Sequence, residues 1–145
     1  MYKHILIATD GSDLAGKAVN AGLQLAKVLN ANVTAVTVTE PWTAHITGDG
    51  PIAFPLDDYE KSASEYATRT LAAVGDLAKK FAVDCKSIHL QDQSPADGIL
   101  DAAKSHGCDL IVMSSHGRRG LGRLLLGSAA VSVLTHSTVP VLICR

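Results

Sequence analysis

Ile5-Leu6-Ile7-Ala8 and Leu110-Ile111-Val112-Met113 are apolar at every position. A strand with one face in water alternates apolar and polar residues. A strand with no polar position is covered on both faces, which is the habit of parallel sheets. Each run ends in a polar, glycine-bearing turn, and a helical period follows. Asp10-Gly11-Ser12-Asp13 comes after the first run. Ala15, Ala18, Gly22, Leu25 and Leu29 then fall on one face of a helix, with Asn30 suited to end it in the left-handed conformation. These two strand-turn-helix units restrict the chain to folds in which helices cover a parallel sheet.

The rest of the chain fits that restriction. Residues 33–38 alternate valine and threonine and read as a second strand. Residues 39–56 hold three prolines and two glycines and read as a loop without regular structure, placed where it can cover a ligand. From Asp57 to Ala82, Tyr59, Ala63, Tyr66, Thr70, Val74, Leu77 and Phe81 step by three or four. Acids stand at the start of that helix and Lys79-Lys80 near its end, as the helix dipole prefers. Residues 84–90 read as a third strand. Ser94-Pro95-Ala96-Asp97 is a helix start, with Ser94 as cap and proline at the first position, and that helix stops at Gly107. Gly127-Ser128 opens a last helix with Ser128 as cap, and Val139 to Cys144 forms a last strand. Strands that alternate with helices predict one α/β domain over residues 1–145, an open parallel sheet with helices on both faces. In such sheets a ligand lies beyond the carboxyl ends of the strands, where the winding reverses. Two polar strand ends qualify, Asp10-Gly11-Ser12 and the stretch from Ser114 to Ser128. They make one site if the first and fourth strands are neighbours.

Charge narrows the ligand. The net charge of −1 gives no reason to expect nucleic acid. It is unevenly spread, though. Residues 1–109 carry nine Lys and Arg against fourteen Asp and Glu, and residues 110–145 carry four arginines and no acid. A local basic site in a nearly neutral chain fits a small anion. The stretch from Ser115 to Arg123 is glycine-rich and carries Arg118, Arg119 and Arg123, and Gly127-Ser128 sets a helix N-terminus behind it. Free amides and a positive dipole end at that place suit a phosphate. The loop matches neither the P-loop nor the dinucleotide fingerprint. His116 either donates to a phosphate or is structural, and Asp10 either caps a turn or bonds a ligand. Ser114, Ser115 and His116 are sequence neighbours, which is not how a nucleophilic triad is built. The three cysteines are widely spaced and form no CxxC pair. That argues for idle thiols in a reducing compartment and against a metal site. No apolar stretch reaches the roughly 18 residues of a membrane span. With no signal peptide ahead of the first strand, the expected location is cytoplasmic.

Ser114-x2-Gly117-x9-Gly127-Ser128 resembles the Gly-x2-Gly-x9-Gly-Ser/Thr signature of the ATP-binding universal stress proteins. The residues from Met113 to Arg118, Leu125-Leu126, Lys3 to Ser12 and Val139-Pro140-Val141-Leu142 are similar to that family too, so the resemblance covers the whole chain. One position departs: Ser114 stands where the signature has its first glycine, and its side chain can crowd a phosphate or ribose, or donate to it. The resemblance implies a five-stranded parallel sheet in the order 3-2-1-4-5, of the adenine nucleotide alpha hydrolase-like type. It implies that Asp10 bonds the adenine region and that Val38 holds the base through its backbone. Ser114, Gly117, Gly127 and Ser128, with the amide of Ala129, would surround ribose and phosphates. Arg118 and Arg119 are added as phosphate-side charges on the ground of charge alone. The implied cofactor is ATP, or AMP or ADP, with Mg an optional companion. The implied role is a stress-response binder and not an enzyme, dimeric through the strand Val139 to Cys144. Two alternatives stay open: a dimeric interaction module that binds no nucleotide, and an adenylating enzyme of the ATP pyrophosphatase kind.

Overall fold

A computed structural model describes residues 1–45, 55–117 and 125–145. Five strands form one sheet: β1 (His4–Ala8), β2 (Asn32–Val38), β3 (Cys85–Leu90), β4 (Leu110–Ser114) and β5 (Val141–Cys144). All pairings are parallel and the spatial order is β3-β2-β1-β4-β5, as the family resemblance implied. The last strand starts at Val141 and not at Val139. Residues 137–140 are held differently: the Ser137 hydroxyl donates to the Val139 carbonyl at 2.6 Å and accepts from the Val139 amide at 3.2 Å.

Four helices cover the sheet: α1 (Asp13–Leu29), α2 (Leu56–Phe81), α3 (Pro95–Ser105) and α4 (Ser128–His136). Their ends follow local chemistry. The Ser12 hydroxyl caps α1 by accepting from the Ala15 amide at 3.2 Å, and Asn30 ends the helix at φ 52°. The Ser94 hydroxyl accepts from the Asp97 amide at 3.3 Å, with Pro95 in the first turn of α3. The last helix differs from expectation. Its cap is Gly127, and Ser128 is already helical, because the Gly127 carbonyl accepts the first intrahelical bond from Val131 at 3.0 Å. The segment 39–56 also departs from a plain loop. A 3-10 turn spans Trp42–His45, and α2 begins at Leu56; residues 46–54 lie outside the described residues, and the covering role expected of this loop with them.

The apolar strands bury both faces. Ile5, Ile7, Val33 and Val112 point to one side, where they meet Ala18 and Leu23 of α1 and Leu71, Val74 and Ala78 of α2. Leu6, Ala8, Val36, Ile111 and Met113 point to the other, where they meet Ala96 and Ile99 of α3 and Ala130 and Val133 of α4. Each fully buried aliphatic side chain contributes about 1.5–3 kcal/mol relative to exposure. At the amino ends, the Asp109 carboxylate accepts from the Lys3 amide at 2.8 Å and the His4 amide at 3.1 Å, which sets β1 beside β4. The opposite ends are then aligned as well.

Two lengths do not match. Strands of 4–7 residues reach roughly 13–23 Å, whereas the 26-residue α2 reaches roughly 39 Å. Its later turns pack on the sheet and its first turns stand beyond the carboxyl ends of the strands.

Candidate functional site

A cavity of about 840 Å³ opens at those carboxyl ends. Its floor is formed where β1, β2 and β4 stop. The first turns of α2 make one wall, and the beginnings of α3 and α4 make the other. This is the switch point, since β1 has β2 on one side and β4 on the other.

Asp10 follows the end of β1. Its Oδ1 accepts from the Ser12 amide at 3.0 Å, so the carboxylate is held within its own turn. A Cβ built on Gly117 would come within 2.6 Å of Asp10 Oδ2. The two strand ends thus meet, and the missing Cβ of glycine leaves room for the Asp10 carboxylate as it stands. Val38, at the end of β2, lines the cavity and packs against the α3–α4 cluster. Ser114 is the last residue of β4 and is buried. Its hydroxyl donates to the His116 carbonyl at 2.7 Å, so the departure from the signature braces the turn with its own side chain.

Gly127, Ser128 and Ala129 also line the cavity. The Gly127 amide donates to the Ser115 carbonyl at 2.7 Å and closes the segment between β4 and α4. A Cβ at Gly127 would sit 3.1 Å from that carbonyl oxygen, tighter than nearly all real contacts. Among the described residues no side chain caps α4. The amides of Ser128, Ala129 and Ala130 precede its first intrahelical bond, and such amides suit an anion. Arg118, Arg119 and Arg123 lie outside the described residues.

The α2 wall is what sequence reasoning missed. The Tyr66 hydroxyl donates to the Asp10 carbonyl at 2.7 Å, and the Tyr59 hydroxyl donates to the Glu40 carbonyl at 2.7 Å. The two tyrosines hold the loops that leave β1 and β2. Arg69, an exposed residue, lines the same wall. A signal was present. The α2 stripe is hydroxyl-bearing early (Tyr59, Ser62, Tyr66) and aliphatic late (Leu71, Val74), so it faces two surroundings.

Among the described residues, no cluster of three or more His, Cys, Asp or Glu is gathered that could hold a metal ion. The three cysteines are free thiols, all raised in pKa chiefly by burial, and Cys108 is pushed up to about 11 with Asp109 adding to the effect. Thr39, on the cavity rim, holds His89 Nε2 at 2.6 Å, and burial pulls that imidazole below its usual pKa. No described helix is long and apolar enough to cross a membrane.

Known proteins share this architecture. Universal stress protein YxiE of Bacillus subtilis is 33% identical over 100% of both chains. The structure of universal stress protein UspA from Lactobacillus plantarum superposes with a TM-score of 0.78 at 26% identity, covering 99% of this chain and 98% of that one. A universal stress protein solved in complex with cAMP superposes with a TM-score of 0.74 at 27% identity, covering 99% and 97%. The model of the universal stress protein family matches residues 1–145. The sheet order, the glycine contacts at the switch point and these likenesses agree: the chain belongs to the universal stress protein family.

Proposed function

We propose that the cavity binds an adenine nucleotide, ATP, ADP or AMP, and that the chain acts as a nucleotide-responsive regulator in stress. One observation carries the reading: α4 begins, with no side-chain cap among the described residues, on the wall of a cavity at whose floor Gly117 closely approaches Asp10. A helix start of that kind supplies amides to phosphate. The volume of about 840 Å³ accommodates a nucleotide, since small-molecule pockets run to about 300–1,000 Å³. The relative solved with cAMP supports the same choice of ligand class. In this reading Asp10 bonds the adenine region and the Val38 main chain flanks the base. Ser114, Gly117, Gly127, Ser128 and the Ala129 amide surround ribose and phosphates. Arg118 and Arg119 add positive charge, with Mg as an optional companion of the phosphates. We take residues 1–145 as one functional unit, a binder and not an enzyme, located in the cytoplasm, with neither nucleic acid nor membrane as partner.

Mass spectrometry of small molecules released on denaturing the purified protein, with calorimetry of ATP, ADP and AMP, tests the proposal. Co-purified adenine nucleotide or micromolar binding is expected. No binding up to millimolar concentration would overturn it. Steady pyrophosphate release from ATP would favour the adenylating alternative.

A second reading, a dimeric module that needs no nucleotide, rests on a different surface. β5 is a sheet edge, and Leu142 on it is 40% exposed, with Val131 and Leu134 of α4 also exposed. Pairing that edge with its two-fold mate would cover it. A homodimer through this strand is part of both readings, and nucleotide binding separates them.

A further inference from the structure

Ser115 stands one position beyond β4 and is 4% exposed. Its main chain is fixed twice. The amide donates to the Cys144 carbonyl at 2.8 Å, and the carbonyl accepts from the Gly127 amide at 2.7 Å. Ser115 therefore joins β4 to β5 and to the start of α4. Its hydroxyl oxygen lies 3.1 Å from Nδ1 of His116.

The two tautomers of this pair leave different groups over. If Nδ1 carried the proton and donated to Ser115, the serine hydrogen would need another acceptor. Among the described residues the Ser115 hydroxyl has no second hydrogen-bond partner. A buried hydroxyl left in that state costs about 1–3 kcal/mol. If the hydroxyl donates to Nδ1, it is satisfied, and the ring proton sits on Nε2. The ring's other edge then matters. A Cβ at Gly127 would lie 3.6 Å from His116 Cδ2, the carbon bonded to Nε2. That carbon lies beside Gly127, the cap of α4, and His116 lines the cavity.

We propose that Ser115 is a positioning residue that fixes His116 as an Nε2–H donor beside the α4 amides, so that His116 reads a phosphate group of the bound ligand. This rests on the nucleotide reading of the cavity and deepens it. The amides of Ser128, Ala129 and Ala130 are main-chain donors that any sequence would offer there. His116 Nε2–H is a side-chain donor whose orientation depends on one neighbouring hydroxyl. A donor aimed at phosphate raises affinity for a nucleotide over its nucleoside and leaves nucleoside binding unchanged. Loss of one hydrogen bond to a charged oxygen lowers affinity roughly 10-fold or more.

The experiment has two arms. Imidazole ¹H–¹⁵N spectra of the full chain read the tautomer with no ligand present. His116 is expected as the Nε2–H form in the wild type, as a mixture in Ser115→Ala, and restored in Ser115→Thr. Calorimetry then compares AMP with adenosine. His116→Phe is expected to weaken AMP roughly 10-fold and Ser115→Ala roughly 2-fold, the fraction of Nε2–H form lost from the mixture, with adenosine unchanged in both, and His116→Gln, which keeps an N–H donor, to retain most of the affinity. An Nδ1–H wild-type ring overturns the proposal. So does an AMP-to-adenosine ratio that Ser115→Ala and His116→Phe leave unaltered. If the wild type binds neither AMP nor adenosine, the nucleotide reading fails. Inorganic pyrophosphate is then titrated: a shift of the His116 Nε2 resonance supports the donor role on its own, and no shift overturns it.

Discussion

Gly117→Ala should change the sign of its effect on stability with the residue at position 10. The new Cβ would meet Asp10 Oδ2 at 2.6 Å, while ordinary contact begins near 3.4 Å. The carboxylate must therefore retreat by about 0.8 Å, the difference of those two distances. Its bond from the Ser12 amide is 3.0 Å now and has no such slack before it passes out of hydrogen-bonding range. A hydrogen bond to a charged group is worth about 1.5–3 kcal/mol, and this one is only part-buried, so the lower end applies. Replacing glycine by alanine also restricts the unfolded chain, which returns about 0.4–1 kcal/mol where the backbone accepts it. Gly117 does so, because the only non-helical glycines in the left-handed region among those described are Gly11 and Gly107. The net loss is about 1 kcal/mol, or roughly 2–4 °C in Tm for a domain of this size. With Asp10→Ala the obstructing carboxylate is gone and only the unfolded-chain effect is left. Gly117→Ala should then stabilise. Thermal denaturation of the four proteins of the cycle measures this directly. Equal destabilisation in both backgrounds would refute the contact as the reason for glycine at 117.

Other expectations follow from burial and from the exposed edge. Because burial lowers the His89 pKa from 6.5, the unfolded chain takes up a proton that the folded chain resists. The His89 contribution is therefore complete above pH 6.5 and is lost as pH falls from there through the lower folded value. Urea melts at pH 7.5 and 5.0 should show a smaller acid loss in His89→Gln than in wild type, and equal losses would reject the assignment. With its pKa near 11, Cys108 is ionised in about one molecule per thousand at pH 8. Iodoacetamide should label it only on unfolding, and labelling of the native protein at the rate of a free thiol would contradict this. By light scattering at micromolar concentration the wild type is expected to be a dimer and Leu142→Lys a monomer, and a dimeric variant would remove β5 from the proposed interface.

The sheet was legible because its evidence is local. Ile5 to Ala8 and Leu110 to Met113 are apolar at every position, and that alone demands cover on two faces. Ser94 announced its helix because a hydroxyl three residues ahead of an amide is a short-range device. Ser128 misled for the same reason. Serine is the better cap by type, but the Gly127 carbonyl takes the first helical bond, and what favours Gly127 there is the Ser115 carbonyl, twelve residues earlier in the chain. The meeting of Gly117 with Asp10 was within reach only through strand order, which made β1 and β4 neighbours. Tyr59 and Tyr66 were read as one stripe with Val74, since helical period reports which side a residue is on and is silent about what lies opposite.

That stripe has a consequence for how such a chain diversifies. Tyr59 and Val74 are fifteen residues apart on one rod, roughly 22 Å. Effects at such separation add with little interference. Residues of the first turns can be exchanged to suit another ligand while Leu71, Val74 and Ala78 go on holding the sheet. Selection can then act on recognition and on folding as separate traits, although both are encoded in the same helix.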